Sequence, residues 1–321
     1  MKIGYIGSGP ISNFHIPAIR NNEFIIEAIG SRKDSTRCKN FASQYQIEEK
    51  YCSGGWQEVL SKDLDAFVIC LDVKATISVL EKALVTNKPI FVEKPISSNP
   101  NTLKKFLNHP NIDNVFVGYN RRFYKTTNKL KDLCLNSKGG TIFLNMPESD
   151  YGIKQFINNG CHMIDTLRYL IGDFKIIGKV KKFDLKNNDL FSFSALCRNE
   201  KWDILINAHS QIPANFSITV NSDKSVFELK PIEKLSIYNG IDIIEPSEKE
   251  PIRKYMPHLQ NYYLEDCKFK PGFDLMYKNF KLFVEEKECN ICEFKDAYNS
   301  IKTCWDLIES GRTRNSLVNK F

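Results

Sequence analysis

Lys2-Ile3-Gly4-Tyr5-Ile6-Gly7-Ser8-Gly9-Pro10-Ile11-Ser12 is the stretch that decides the fold. Residues 3–6 are an apolar run that reads as a strand. Gly7-Ser8-Gly9 breaks it, and a helical pattern follows as far as Arg20. A strand, a glycine turn and a helix in that order form the phosphate-binding turn of a dinucleotide site. The first glycine, Gly7, permits the tight turn. The second, Gly9, lets backbone N–H groups approach a pyrophosphate at the helix N-terminus, where Pro10 and Ile11 complete the cradle. Ser12 stands where a third small residue is usual, so helix and strand are expected to pack less closely.

The same alternation continues outward from this turn. Strands are expected at 24–30, 66–71, 90–92 and 114–117, with helical stretches at 34–45, 56–60 and 76–85 between them. Strands that are apolar on both faces and separated by helices imply a parallel, doubly wound sheet covered on both sides. Beyond about residue 120 the rhythm changes. One amphipathic helix at 162–171 precedes strand candidates at 178–183, 190–197, 202–209, 216–222, 225–229 and 235–238. Helices at 273–286 and 294–309 close the chain, with Gly311 placed as the stop. The expected fold is therefore α/β: a Rossmann domain at 1–119, then an α+β domain at 120–321 with a mostly antiparallel open sheet.

Composition sets limits on function. The 321 residues are 42% hydrophobic and 26% charged, an ordinary globular balance, and no apolar run reaches the ~20 residues of a membrane helix. The net charge of +7 is scattered, which argues against a nucleic-acid groove and suits an anionic cofactor or substrate. Ten cysteines without a dense framework, and no basic-then-apolar leader pattern, lead us to expect reduced thiols and a cytoplasmic location. Cys289 and Cys292 form a CxxC with no second pair or nearby histidine, so no metal site is expected.

Cofactor choice is read at Ser31-Arg32-Lys33, 22 residues after Gly9. An NAD site usually places an acidic residue here for the ribose 2′-hydroxyl. A hydroxyl and two cations, with Arg37 one turn later, favour the 2′-phosphate of NADP over NAD.

Phe91-Val92-Glu93-Lys94-Pro95 follows the strand at 90–92. Together with the glycine turn, Gly118-Tyr119-Asn120-Arg121-Arg122-Phe123, Gly160-Cys161-His162-Met163-Ile164-Asp165 and Pro271-Gly272-Phe273, it resembles the glucose-fructose oxidoreductase/inositol dehydrogenase/rhizopine-catabolism (Gfo/Idh/MocA) family over nearly the whole chain. The resemblance implies NAD(P) and oxidation or reduction of sugar or cyclitol carbons. It implies that Lys94 contacts the reacting hydroxyl and that Leu71, Asp72 and Glu93 border the nicotinamide. His162 becomes the acid/base, and Asn158, Asp165, Arg122 and Tyr119 become substrate-binding residues. Elementary chemistry agrees. Hydride loss from a carbinol carbon needs a cation beside the oxygen and a base for the proton.

On an ideal helix Asn158, His162 and Asp165 share one face, with Tyr169 beside them, opposite the apolar Met163, Ile164, Leu167 and Leu170. The departures are Asn158, where the family usually has Asp, and Asp72 and Thr76, where Pro and His are common. Asn158 or Asn159 is alternatively a helix cap. Arg122 or its neighbour Arg121 suits an anion or a surface salt bridge equally. Tyr255, Tyr262 and Tyr263 suit ring stacking or core packing. The expected activity is hydride transfer between NAD(P) and a secondary alcohol or keto carbon of a sugar. Asn158 points to a nucleotide-linked sugar of surface-polysaccharide synthesis. The alternatives are a free-sugar or cyclitol dehydrogenase and a non-catalytic NAD(P)-binding regulator. The resemblance also implies a homodimer or homotetramer through the C-terminal sheet.

Overall fold

The computed structural model describes residues 1–149, 152–184, 189–265 and 268–309. The first sheet contains β1 (Lys2–Ile6), β2 (Ile25–Gly30), β3 (Glu49–Tyr51), β4 (Ala66–Ile69), β5 (Ile90–Val92) and β6 (Val115–Val117). Their order across the sheet is β3-β2-β1-β4-β5-β6, and every pair is parallel. The order reverses between β1 and β4, which opens a crevice beyond the carboxyl ends of the strands. Sequence alternation sorts the strand residues onto two faces. Ile3, Tyr5, Val68, Phe91 and Phe116 enter one apolar cluster, while Ile6, Phe67, Ile69, Ile90 and Val117 enter the other. β3 is a three-residue strand that the apolar pattern did not reveal.

Coverage of the first face comes from far along the chain. Phe273, Met276, Tyr277 and Phe280 of helix Phe273–Val284 lie in the same cluster as Ile3 and Phe91. Phe280 is wholly buried and lies 5.6–5.7 Å, ring centre to ring centre, from Phe24, Phe91 and Phe116. Gly272 makes the return possible. Its φ is +78°, and a side chain there would stand 2.2 Å from the Asn120 carbonyl oxygen. Asn120 Nδ2 in turn donates to the Pro271 carbonyl at 3.0 Å. The Gly118–Phe123 and Pro271-Gly272-Phe273 motifs are therefore two halves of one junction.

The second sheet has eight strands. They are β7 (Gly140–Glu148), β8 (Lys175–Phe183), β9 (Leu190–Arg198), β10 (Trp202–Ser210), β11 (Ser217–Ser222), β12 (Ser225–Leu229), β13 (Lys234–Ile244) and β14 (Lys254–Leu264). Their order is β14-β13-β12-β11-β7-β10-β9-β8, antiparallel except for the parallel pair β7–β10. Both central β7 and edge β14 escape the sequence reading. β7 buries Ile142, Leu144 and Met146 but turns Phe143 outward, so its period-two pattern is blurred, and Pro147 argues against a central strand. β14 is exposed nearly throughout. Tyr255 and Tyr262 lie on it and are more than half exposed, so neither packs in the core. Helices Lys125–Asn136, Cys161–Ile171 and Phe294–Glu309 cover the inner face of this sheet. The stop at Gly311 lies outside the described residues.

Replacing Phe280 by Ala removes the ring that ties the last quarter of the chain to the first sheet. We expect a loss of about 3–5 kcal/mol of stability, read as an equilibrium denaturant midpoint shift at unchanged slope.

Candidate functional site

The turn after β1 has the form a phosphate cradle needs. Gly7 sits at φ +139°, and a Cβ there would lie 2.1 Å from the Cys70 carbonyl oxygen, so only glycine fits. Gly9 differs: a Cβ there would meet nothing within 4 Å. Packing does not demand glycine at that position, whereas a close-lying pyrophosphate would. Helix Ser12–Asn21 starts immediately afterwards, its first N–H groups donating back to the turn: Ser12 to the Gly9 carbonyl at 3.0 Å and Asn13 to the Pro10 carbonyl at 3.2 Å. A groove of about 500 Å³ adjoins the turn, lined by Ser8, Gly9, Pro10, Asn13, Arg37 and Phe41 among others. Of the cations expected near the ribose, the groove holds Arg37. Ser31, Arg32 and Lys33 follow β2 directly, and the two cations are exposed beside it.

Beyond β4, Asp72 caps helix Val73–Leu84, accepting from the N–H groups of Lys74 (3.0 Å) and Ala75 (3.1 Å). Local helix chemistry accounts for its departure from the family pattern. Beyond β5, Glu93 is engaged through both oxygens. Oε2 accepts from the Lys94 backbone N–H, and Oε1 lies 3.2 Å from His15 Nε2, whose Nδ1 is 2.6 Å from Tyr277 Oη. Glu93 thereby holds the Lys94 backbone in place.

Lys94 crosses from the first sheet to the second half of the chain. Its Nζ donates to the Asn158 carbonyl at 3.2 Å. Asn158 thus meets Lys94 through its main chain, while its side chain is exposed. Residues Phe156–Gly160 form a π-turn that runs straight into helix Cys161–Ile171. Gly160 already has right-handed helical dihedrals, so neither asparagine is a cap. The wider turn also breaks the expected stripe: Asn158 is exposed, whereas the Asp165 side chain is only 1% exposed.

Asp165 and Arg122 are consumed by each other. Arg122 Nε and Nη2 donate to the two Asp165 oxygens at 2.8 and 2.7 Å. Ser300 Oγ adds a bond of 2.9 Å to Asp165, and Arg122 Nη1 reaches Asp296 at 3.0 Å. Arg122 and Asp165, both expected at the substrate, thus engage each other in a buried fork.

What remains in the cleft is a set of polar atoms sealed from solvent and without a protein partner. They are His162 Nδ1, Tyr119 Oη, Arg121 Nη1 and Glu148 Oε1. Buried polar groups are normally satisfied, so four such atoms around one site mark a place shaped for a polar ligand. The Tyr119 ring meets the His162 ring edge-on at 5.9 Å. Burial, with Lys94, Arg121 and Lys270 nearby, holds the His162 imidazole well below its ordinary value and therefore neutral. Sequence reading missed Glu148, which ends the unrecognised strand β7. It is 4% exposed, accepts from Asn159 Nδ2 at 3.1 Å, and its carboxyl is pushed up to about 7 by burial, against the pull of Asn159 and Arg121. A separate concavity of about 980 Å³, lined by Arg168, Tyr169 and Trp202 among others, contains neither Lys94 nor His162. Among the described residues no helix is long and apolar enough to cross a membrane.

Comparison with known proteins matches these features. The model of the oxidoreductase family with an NAD-binding Rossmann fold, Gfo/Idh/MocA, matches residues 1–121. A Bacillus subtilis protein named as the uncharacterized oxidoreductase YrbE is 31% identical over 186 residues, 53% of each chain. The myo-inositol 2-dehydrogenase of Thermotoga maritima is 25% identical over 189 residues, 54% of this chain and 55% of that one. The matched stretch thus spans about half the length of these curated relatives. Among solved structures, a dehydrogenase (MviM) from Clostridium difficile superposes with a TM-score of 0.77 at 17% identity, covering 97% of this chain and 99% of that one. At that identity the likeness speaks for the fold.

Two stability measurements follow. Asp165→Ala leaves the Arg122 charge buried without its main partner and should cost about 3–5 kcal/mol in denaturant unfolding. Glu148 carries the opposite sign. An unfolded chain ionises this carboxyl near 4.5, whereas the folded protein keeps the proton to about 7. Below 4.5 the group costs nothing, and stability falls as pH rises between the two values, by about 3 kcal/mol in all. Glu148→Gln should therefore stabilise the protein above neutrality and leave it unchanged in acid.

Proposed function

We propose that this chain, whose residues 1–121 match the Gfo/Idh/MocA oxidoreductase family model, is an NAD(P)-dependent enzyme moving hydride to or from a secondary alcohol or keto carbon of a sugar. The observation that supports this reading is that Lys94, from the end of the first sheet, reaches the Asn158 carbonyl and lies within electrostatic reach of the neutral His162, which carries an unsatisfied buried nitrogen. When bound, nicotinamide would accept or return the hydride. Gly7, Gly9, Pro10 and Ile11 would hold its pyrophosphate. Lys94 Nζ gives up the Asn158 carbonyl or shares itself with it, and donates to the substrate oxygen, stabilising alkoxide character. His162 takes the hydroxyl proton on its free nitrogen and returns it in the reverse direction. Tyr119 Oη supplies a further donor or acceptor beside the ring.

NADP is the preferred cofactor in this reading, because the groove beside the glycine turn is bordered by Arg37, and Ser31, Arg32 and Lys33, rather than an acidic residue, follow the end of β2 in sequence. A nucleotide-linked sugar remains the favoured substrate and a free sugar or cyclitol the second choice; the named myo-inositol relative supports the latter. A cytoplasmic location completes the reading. A non-catalytic regulator has no use for a lysine–imidazole pair poised around one oxygen.

Assembly through the open sheet is supported by register. Leu205 on β10 pairs with Phe143 on β7 and Leu196 on β9, giving one apolar row across three strands. All three side chains are more than 40% exposed.

The activity test is the appearance or loss of reduced-nicotinamide absorbance with panels of nucleotide sugars, free sugars and cyclitols. Lys94→Met and His162→Ala should each lower kcat by about 10²–10⁴-fold with the fold intact by circular dichroism. Full turnover in either variant would remove that residue from the chemistry. Leu205→Glu should shift the species seen by light scattering from oligomer to monomer without altering the circular dichroism of the chain.

A further inference from the structure

Two adjacent arginines at the junction of the halves have opposite fates. Arg122 is neutralised by Asp165 and Asp296. Arg121 makes no ion pair among the described residues, its Nη1 is sealed from solvent without a partner, and its guanidinium lies over the Phe216 ring at 5.0 Å. We propose that Arg121 is an anion grip, so that the substrate carries a carboxylate or phosphate close to the carbon that reacts. This rests on the oxidoreductase reading and narrows its substrate class.

The charge balance of the cleft supports the assignment. Lys94, Arg121 and Lys270 all lie within electrostatic reach of His162, and Lys94 and Arg121 within reach of Glu148. Glu93 also faces Lys270, but its oxygens are engaged by Lys94 N–H and His15. Arg121 lies within electrostatic reach of two acids, Glu233 and Glu148, and burial keeps Glu148 protonated up to about pH 7. It does not form a salt bridge with Arg121, and its own Oε1 is unsatisfied, so the cleft retains a free donor face and a free acceptor face. Oxidised nicotinamide would bring yet another positive charge. Three cations around a half-buried imidazole make His162 a weak base. An anion on Arg121 offsets that field and restores its basicity. Substrate binding and proton transfer are then coupled through one electrostatic term, and a neutral sugar lacks that help. The aromatic face under Arg121 holds the guanidinium plane steady for two-point contact with a planar or tetrahedral anion.

The experiment compares three ligands sharing one ring: D-glucose, D-glucuronate and D-glucose 6-phosphate. Each is titrated by calorimetry into the full-length protein with and without oxidised cofactor, and the His162 ring proton is followed by NMR against pH. We expect at least one anionic sugar to bind about 10–100-fold more tightly than glucose, as a charge-assisted bond supplies. The arm that binds tells carboxylate from phosphate. The same anion should move the His162 titration midpoint upward, and glucose should not. Arg121→Gln should erase the preference and Arg121→Lys should retain part of it, with cofactor affinity unchanged in both. Equal binding of all three sugars, no binding of any, or a preference that survives Arg121→Gln overturns the proposal. So does a selective loss of cofactor affinity, which would give Arg121 to a cofactor phosphate. None of these readouts needs turnover, so failure of the anion grip and failure of the oxidoreductase reading remain separate results.

Discussion

The buried fork between Arg122 and Asp165 is the constraint on which the site depends. It joins the short turn Asn120–Phe123, where the chain leaves the first sheet, to helix Cys161–Ile171, and Ser300 draws the last helix into the same bond network. The two members are engaged with each other, and the residues with unsatisfied buried polar atoms are their neighbours in sequence. Arg121 precedes Arg122 by one residue, Tyr119 by three, and His162 precedes Asp165 by three. Fixing two buried charges against each other therefore fixes the orientation of the groups that do not pair. A buried ion pair contributes little net stability on its own, but losing one member is costly, and that asymmetry suits a geometric device.

Around that fork the cleft is kept out of electrostatic balance. An imidazole held neutral, a carboxyl held protonated to about pH 7 and a guanidinium without an anion all destabilise the folded chain relative to a neutral core. The expense is met by apolar packing elsewhere. The aromatic cluster of Phe91, Phe116, Tyr277 and Phe280 locks the returning helix Phe273–Val284 onto the first sheet. Its rigidity keeps the Glu93–His15–Tyr277 chain, and with it the Lys94 backbone, in one arrangement.

Several elements were legible before any coordinates. Local period and glycine placement were enough for the β1 turn, the β5 strand with Lys94 after it, and the helix carrying His162. The strand β7 was not, because Phe143 faces outward and Pro147 sits near its end, and Glu148 was lost with it. The π-turn at Phe156–Gly160 was equally hidden, so an ideal helical wheel put Asn158 and Asp165 on one face when they point to different surroundings. Arg121 and Arg122 could not be told apart, since adjacent residues of the same type carry no label for the side each will face.

By itself, the order of residues determined a parallel dinucleotide-binding sheet followed by a mostly antiparallel one, and marked Lys94 and His162 through the resemblance of their surroundings to family motifs. The sheets rest on short-range periodicity, the two residues on motif likeness. Tertiary structure alone decided which charges cancel and which stay open: Arg122 with Asp165 and Asp296, Glu93 with His15, and Arg121 Nη1 and Glu148 Oε1 left unsatisfied. Pairing across separations of 43 to 174 residues depends on how helices pack on two sheets, and no local pattern encodes that distance.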